Sequence, residues 1–311
     1  MSPRGHGIAF AALVLASFGT VCRAGDREES LVSGGRRRTF LLHAPPGGPA
    51  RRPLVLALHG RLGDGRGMER LAGLARLADQ EGFLLACPDG VGRSWADGRG
   101  ATPADREGID DVSFLAALID DAVSRFGAEP ARVYAVGMSN GGFMVQRLAC
   151  ERASKVAAVG VVVATMSAAL PESCRPSRPV PVAFLLGTED PLVPFRGGKT
   201  PRGALLSADA TLAWWAERDG CPAVPAVTTL PDRDPGDGTR VTLRVHGPCG
   251  AGAEVRAWVV EGGGHTWPGG IQYLPRALVG RTSRDLDASR ELWEFLRRFA
   301  VPPARPGVGL R

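Results

Sequence analysis

Lysine is nearly missing from this chain. Lys155 and Lys199 are the only two lysines among 38 basic residues, and the arginines that take their place are scattered rather than gathered into a stripe. Arg36 to Arg38 is the one basic triplet, and it reads as the cap of a solvated turn before a strand. Neither nucleic acid nor an anionic membrane surface is an expected partner. The chain also lacks the full G-x-x-x-x-G-K-[ST] phosphate loop and a dinucleotide fingerprint, so no nucleotide cofactor is implied. It has no C-x-x-C pair, which ranks a zinc site low, and no metal is expected. No apolar run reaches the roughly 20 residues of a membrane-spanning helix. No repeat, linker or second domain interrupts its 311 residues.

What is present begins with an N-terminal pattern of export. Arg4 precedes an apolar core from Ile8 to Phe18, and Cys22-Arg23-Ala24 offers small residues where a signal peptidase reads. Residues 1–24 are therefore expected to be a signal peptide cleaved after Ala24. Its removal takes away Arg4 and Arg23 and no acid, leaving 36 bases against 32 acids, a charge of about +4. The expected location is secreted or periplasmic.

Five cysteines remain after such cleavage. Cys87 sits in the strand-like run from Gly82, where a buried thiol behaves as a small apolar group, so it is the expected spare. Cys150, Cys174, Cys221 and Cys249 then form two bridges in an oxidising compartment. Three connectivities are open, and chain order favours Cys150–Cys174 with Cys221–Cys249.

Strands and helices alternate along the chain. An edge-type strand at Thr39 to Leu42 leads to Pro53 to Leu58, a continuous apolar run expected of a central strand covered on both faces. A helix follows from Gly67 to Glu81, then a strand from Phe83 to Cys87. Gly90 to Arg106 reads as loop, with Trp95 as either a pocket wall or a plug. The helix from Ile109 to Phe126 carries Asp110 and Asp111 in its first turn, where acids suit the dipole. Further strands are expected at Val133–Gly137, Val156–Ala164, Val180–Leu186, Thr239–His246 and Glu254–Val260, with helices at 208–218 and 285–300. Asp232 to Gly238 has the look of a calcium loop without its distal glutamate and reads as an acidic turn. This alternation predicts one α/β domain over residues 25–300, with a mostly parallel sheet flanked by helices and a disordered tail at 301–311.

Chemistry gathers where the strands end. Val133 to Met138 stops at Gly137-Met138-Ser139-Asn140-Gly141, a G-x-S-x-G elbow that presents a serine hydroxyl on a sharp strand-to-helix turn. The backbone N–H of Asn140 then lies where an attacked carbonyl develops charge. Later strands end at Glu189-Asp190-Pro191 and at Gly264-His265-Thr266. A serine needs an imidazole to take its proton, and the imidazole needs a carboxylate to hold its tautomer. Ser139, His265 and Asp190 fill those roles, with Glu189 as the rival acid. Of the other histidines, His43 and His246 sit in edge-like strands and His59 precedes a loop that it braces. Arg61, with Asn140, is the expected second oxyanion donor.

Together, Leu58-His59-Gly60, Gly137 to Gly142, Gly187-Thr188-Glu189-Asp190-Pro191-Leu192-Val193-Pro194 and Gly262-Gly263-Gly264-His265-Thr266-Trp267-Pro268-Gly269 resemble the secreted polyhydroxybutyrate depolymerase and feruloyl esterase group of α/β-hydrolases. The likeness covers roughly residues 37–300. In that family the matching serine, aspartate and histidine form the triad, and some relatives have cysteine where Arg61 stands. The resemblance implies an esterase working through an acyl-enzyme, on small or oligomeric esters of the hydroxybutyrate type or other short-chain esters. The chain ends soon after its closing helix, whereas many polymer-degrading members carry a separate binding domain, so oligomers are expected rather than crystalline polyester. The other expectations are a feruloyl or acetyl xylan esterase, with Trp95 and Trp267 stacking an aromatic or sugar group beside His59, and a non-catalytic binder of polymer surfaces. A peptidase is not expected, and the oligomeric state is left open.

Overall fold

The computed structural model describes residues 25–302; the signal-peptide and tail assignments lie outside the described residues, apart from 301 and 302. Twelve strands form among them: β1 (Asp26–Ser33), β2 (Arg36–His43), β3 (Arg52–Leu58), β4 (Leu84–Pro88), β5 (Ala128–Met138), β6 (Ala158–Val162), β7 (Val182–Gly187), β8 (Gly198–Thr200), β9 (Gly203–Leu205), β10 (Ala226–Thr229), β11 (Arg240–His246) and β12 (Val255–Glu261). Ten of them make one sheet in the order β1-β2-β4-β3-β5-β6-β7-β12-β11-β10, and β8 pairs with β9 apart from it. The centre, β4 to β12, is parallel, and the hairpin partners at both margins are antiparallel.

The central strands are apolar throughout because both faces are covered. The helices are α1 (Gly65–Ala72), α2 (Leu74–Glu81), α3 (Pro103–Arg106), α4 (Asp111–Phe126), α5 (Asn140–Glu151), α6 (Leu170–Ser173), α7 (Ala208–Arg218), α8 (Arg276–Val279) and α9 (Ala288–Leu296). Phe114, Leu118, Met144, Leu148 and Trp215 pack one face of the sheet through α4, α5 and α7. Met68, Leu77, Leu292 and Phe295 pack the other through α1, α2 and α9. The parallel strands therefore run one way, and the loops after β3, β5, β7 and β12 open at one edge.

Several expectations give way to the structure. The helix expected over 67–81 is two helices, because Gly73 takes a left-handed conformation (φ 62°) that closes α1 and opens α2. The segment before Thr39 is a hairpin: β1 is so charged that it carries no strand pattern, yet it pairs along its whole length with β2. Consequently β2 is not an edge, and His43 is fully buried between Asp26 (2.7 Å) and Asp79 (2.8 Å). Arg38 does not cap a solvated turn. It is buried against the Phe114 ring and bonds Asp111 at 2.7 Å, while the other Asp111 oxygen accepts the Ala96 N–H. Asp111 is thus an internal strut, its carboxyl pushed up by burial, and Asp110 is the cap, accepting from Ser113. The strands β8, β9 and β10 went unforeseen; they are only three or four residues long and β10 is fully exposed.

The disulfides are Cys150–Cys174 and Cys221–Cys249, and Cys87 is free and buried. Asp232 to Gly238 is a turn whose acids serve the backbone: Asp237 accepts from Thr239 and Arg284. No grouping of side chains able to hold a metal occurs among the described residues.

Asp219, beside the second disulfide, supplies a pH prediction. One carboxylate oxygen accepts the Val180 N–H at 3.1 Å and the other is buried without a partner. Burial, outweighing that bond and nearby Arg178, raises its pKa from 3.8 to about 7. Between those values the folded chain keeps a proton that the unfolded chain has released, so stability falls as pH rises through this window. The urea midpoint of the wild type should drop from pH 5 to pH 8, and Asp219→Asn should flatten that drop; equal slopes in both proteins would count against it.

Candidate active site

Ser139 sits at the junction of β5 and α5 with φ 55° and ψ −118°, an uncommon conformation for a residue with a side chain. The turn is held from outside. The Ser139 N–H donates to the Val162 carbonyl at 2.9 Å, and the Phe143 N–H donates to the Ser139 carbonyl at 3.0 Å. It is also crowded: a Cβ on Gly137 would stand 2.3 Å from the Gly141 carbonyl oxygen, and one on Gly141 would stand 2.2 Å from that of Leu58. Only glycine fits at either place, which is the physical content of the G-x-S-x-G spacing. Ser139 is half-buried, and its hydroxyl makes no side-chain hydrogen bond among the described residues.

Asp190 and His265 meet on the loops after β7 and β12. Asp190 Oδ2 lies 2.7 Å from His265 Nδ1, and Asp190 Oδ1 accepts the Leu192 and Val193 N–H groups, each at 2.8 Å. Every oxygen of this buried carboxylate has a job. Glycines let the two loops touch: a Cβ on Gly187 would stand 2.4 Å from the Gly263 carbonyl oxygen, and one on Gly264 would stand 2.1 Å from that of Val279. The Glu189 N–H donates to the Gly263 carbonyl at 2.9 Å, so neighbouring backbone fixes where Asp190 begins. The Glu189 side chain is exposed and faces Arg281 at 3.7 Å, away from the imidazole.

Tyr273 was not foreseen. Its hydroxyl donates to the His265 carbonyl at 2.9 Å, and burial with the nearby Asp190 charge pushes its pKa up to about 12. A lone tyrosine in a Pro-rich loop carries no sequence signal for that role.

On the opposite side, Gly60 brings the loop after β3 against the elbow; a Cβ there would lie 3.4 Å from Ser139 Cβ. The next residues spend their backbone donors on other partners, Leu62 N–H on the Arg93 carbonyl in the loop after β4 and Gly63 N–H on that of Gly60. No acceptor takes the Arg61 or Asn140 N–H among the described residues. His59 sets this loop. Its Nε2 accepts the Gly90 N–H at 3.0 Å, so Nδ1 carries the proton and donates to the Gly60 carbonyl at 2.7 Å. Burial lowers the His59 pKa and keeps that tautomer neutral.

The Asn140 side chain is buried and fully occupied: Oδ1 accepts the Trp95 N–H, and Nδ2 donates to the Trp95 carbonyl and to Asp97 Oδ2, the last at 2.6 Å. Trp95, read as either a pocket wall or a plug, is the plug at 0% exposed, and Trp267, expected to stack against substrate, is 1% exposed. The Trp95 indole N–H donates to the His59 carbonyl, and that of Trp267 donates to Ser289 Oγ on α9. Both rings support the loops from beneath, because a large apolar ring in a loop gains more by burial than by exposure. His59 likewise faces the loop backbone and is 2% exposed.

A shallow cavity, open to solvent, lies over the elbow, lined among others by Ser139, Asn140, Arg61, Arg99, Leu192 and Arg202. A serine on a strained elbow, a histidine bonded to a carboxylate, and unspent N–H groups at a concave surface have the chemistry that acyl transfer requires.

Comparison with known proteins places this arrangement. The family model described as esterase PHB depolymerase matches residues 38–188. NocK of Nocardia uniformis subsp. tsuyamanensis, whose name proposes an esterase, is 34% identical over 290 residues, covering 89% of this chain and 84% of NocK. The chain belongs to this esterase family. Feruloyl esterase B of Piromyces equi is 26% identical over 278 residues, covering 85% of this chain but 46% of that protein, so the chain spans about half of that relative's length. Among solved structures, the acetyl xylan esterase from Aspergillus awamori superposes with a TM-score of 0.53 and 17% identity, covering 74% of this chain and 89% of that one. That likeness is one of fold, and the fold is that of the α/β-hydrolases. The chain is therefore an esterase of the serine type. No helix among the described residues is long and apolar enough to cross a membrane.

Proposed function

We propose that Ser139 is the nucleophile, His265 the general base and Asp190 the orienting acid of a secreted esterase acting on short-chain esters and hydroxyalkanoate oligomers. The observation that carries this reading is the 2.7 Å bond between Asp190 and His265 in company with the strained Ser139 elbow at the same edge of the sheet. Asp190 accepts the Nδ1 proton and leaves Nε2 with a lone pair for the serine proton. The serine oxygen then attacks the ester carbonyl, and the proton taken by His265 passes to the departing alcohol. Water repeats the sequence on the acyl-enzyme and releases the acid. The Asn140 and Arg61 N–H groups hold the oxyanion in both halves; being backbone, they need no reorganisation when charge appears. The Ser139–His265 bond closes with substrate bound, as catalytic bonds in ligand-free enzymes commonly do. Two disulfides and the export-like first 24 residues support an oxidising, extracytoplasmic location.

A second reading, ester hydrolysis of aromatic acyl groups, is favoured by the similarity to feruloyl esterase B. It loses the support of Trp95 and Trp267, which lie under the site. Purified protein without its first 24 residues should hydrolyse p-nitrophenyl acetate and butyrate and release 3-hydroxybutyrate from its soluble oligomers. Release of ferulate from methyl ferulate with no product from the oligomers would replace the first substrate class by the second. Inactivity of the folded protein on all four would favour a non-catalytic binder.

A further inference from the structure

The cavity over Ser139 is lined by three arginines and by no acid. Arg99 already has a partner: its guanidinium grips Asp97 through contacts of 2.6 to 3.1 Å and lies 3.7 Å over the Phe143 ring. Arg61 and Arg202 differ. Neither forms an ion pair among the described residues, although arginines elsewhere on this surface are repeatedly paired, as at Arg66–Glu28 and Arg298–Glu254. Both are exposed residues on the lining of this one cavity. Arg61 follows Gly60, where an added Cβ would lie 3.4 Å from Ser139 Cβ, and Arg202 stands at the tip of the β8–β9 hairpin. The hairpin tip is braced internally, Thr200 Oγ1 taking the Arg202 N–H and donating to the Gly203 carbonyl, and it stands beside Arg99, where a Cβ on Gly203 would rest 3.7 Å from Arg99 Cβ. Its far strand is tied down by Ala168 N–H to the Ala204 carbonyl and Leu206 N–H to that of Met166.

Gathering like charges around a concave surface costs stability unless a counter-charge arrives. Arg202 feels the cost directly: its pKa is lowered by burial and by the charges of Arg61 and Arg99. An anion entering the cavity would relieve that repulsion, and a guanidinium fork matches a planar carboxylate in two parallel hydrogen bonds. Ordinary neutral esters gain nothing from it.

We propose that Arg61 and Arg202 form an anion subsite and that this esterase prefers esters whose acyl or alcohol portion carries a free carboxylate beyond the scissile bond. The proposal rests on Ser139 being the nucleophile of the same cavity, so its test separates the two. The subsite holds the far end of the substrate while Ser139 attacks the near end, which makes monoesters of dicarboxylic acids and acid-terminated oligoesters the favoured class.

The test compares kcat/KM for mono-p-nitrophenyl adipate and p-nitrophenyl hexanoate, equal in chain length and differing in the terminal carboxylate. The wild type should favour the adipate ester by about tenfold or more, the scale of one charge-assisted bidentate contact, and added salt should shrink the ratio. In Arg202→Gln the ratio should fall by about tenfold, and in Arg202→Glu the preference should invert. A ratio that Arg202→Gln leaves within twofold of wild type overturns the subsite and leaves the esterase reading standing. Binding of monomethyl adipate to Ser139→Ala, measured by calorimetry, reports on the subsite without catalysis: binding weakened by adding Arg202→Gln supports it even if turnover fails, and no binding overturns it.

Discussion

Ser139→Ala is expected to lower kcat for p-nitrophenyl butyrate by about 10⁵- to 10⁶-fold, the scale on which serine hydrolases lose rate when the nucleophile is removed. The fold should survive, because alanine asks no more of the left-handed Ser139 backbone than serine does and the elbow is held by its N–H and carbonyl bonds to Val162 and Phe143. Any residual rate above water would come from the Asn140 and Arg61 donors and from substrate binding. Loss of activity with unchanged circular dichroism and thermal midpoint checks the prediction. A kcat within tenfold of wild type would move the nucleophile elsewhere.

The second large effect belongs to Asp190→Asn, expected to lower kcat by about 10⁴-fold at neutral pH. The substitution isolates the orienting role. An amide oxygen can still accept the Leu192 and Val193 N–H groups, so the loop keeps its shape. Its NH₂, however, would face His265 Nδ1 as a donor and select the tautomer with the proton on Nε2, which cannot receive the serine proton. KM should change far less than kcat, since Asp190 is buried and does not face the substrate. Glu189→Gln is the matched control. That carboxylate is exposed toward Arg281, and its loss should leave kcat near wild type.

These contrasts show which parts of the molecule were legible in the chain. The central strands announced themselves because burial on both faces demands unbroken apolar runs, as at Leu54 to Leu58. The elbow was legible because sterics admit only glycine at 137 and 141. Asp190 was already preferred over its rival Glu189 in the chain, and the coordinates add the reason: the turn aims Asp190 at His265 and Glu189 at Arg281. Trp95 stayed open between wall and plug, and Trp267 misled, for a related reason. Composition identifies a large ring in a loop but not the side of the loop it takes, and here both indoles hydrogen-bond inward. Charge patterning hid β1, whose acids and arginines read as a solvated segment although the strand pairs fully with β2. The arginine-lined cavity was invisible for another cause. Arg61, Arg99 and Arg202 lie far apart along the chain and meet only through the β8–β9 hairpin, too short to leave a periodic trace.

The most direct test of the account is covalent capture of the nucleophile. The mature protein, incubated with diethyl p-nitrophenyl phosphate and digested, should yield one diethylphosphorylated peptide, modified on Ser139, with p-nitrophenol released in equal amount and esterase activity lost in step. Ser139→Ala should take up no label. Labelling at any other residue, or full inhibition with Ser139 unmodified, would contradict the assignment of the elbow serine as the reacting group.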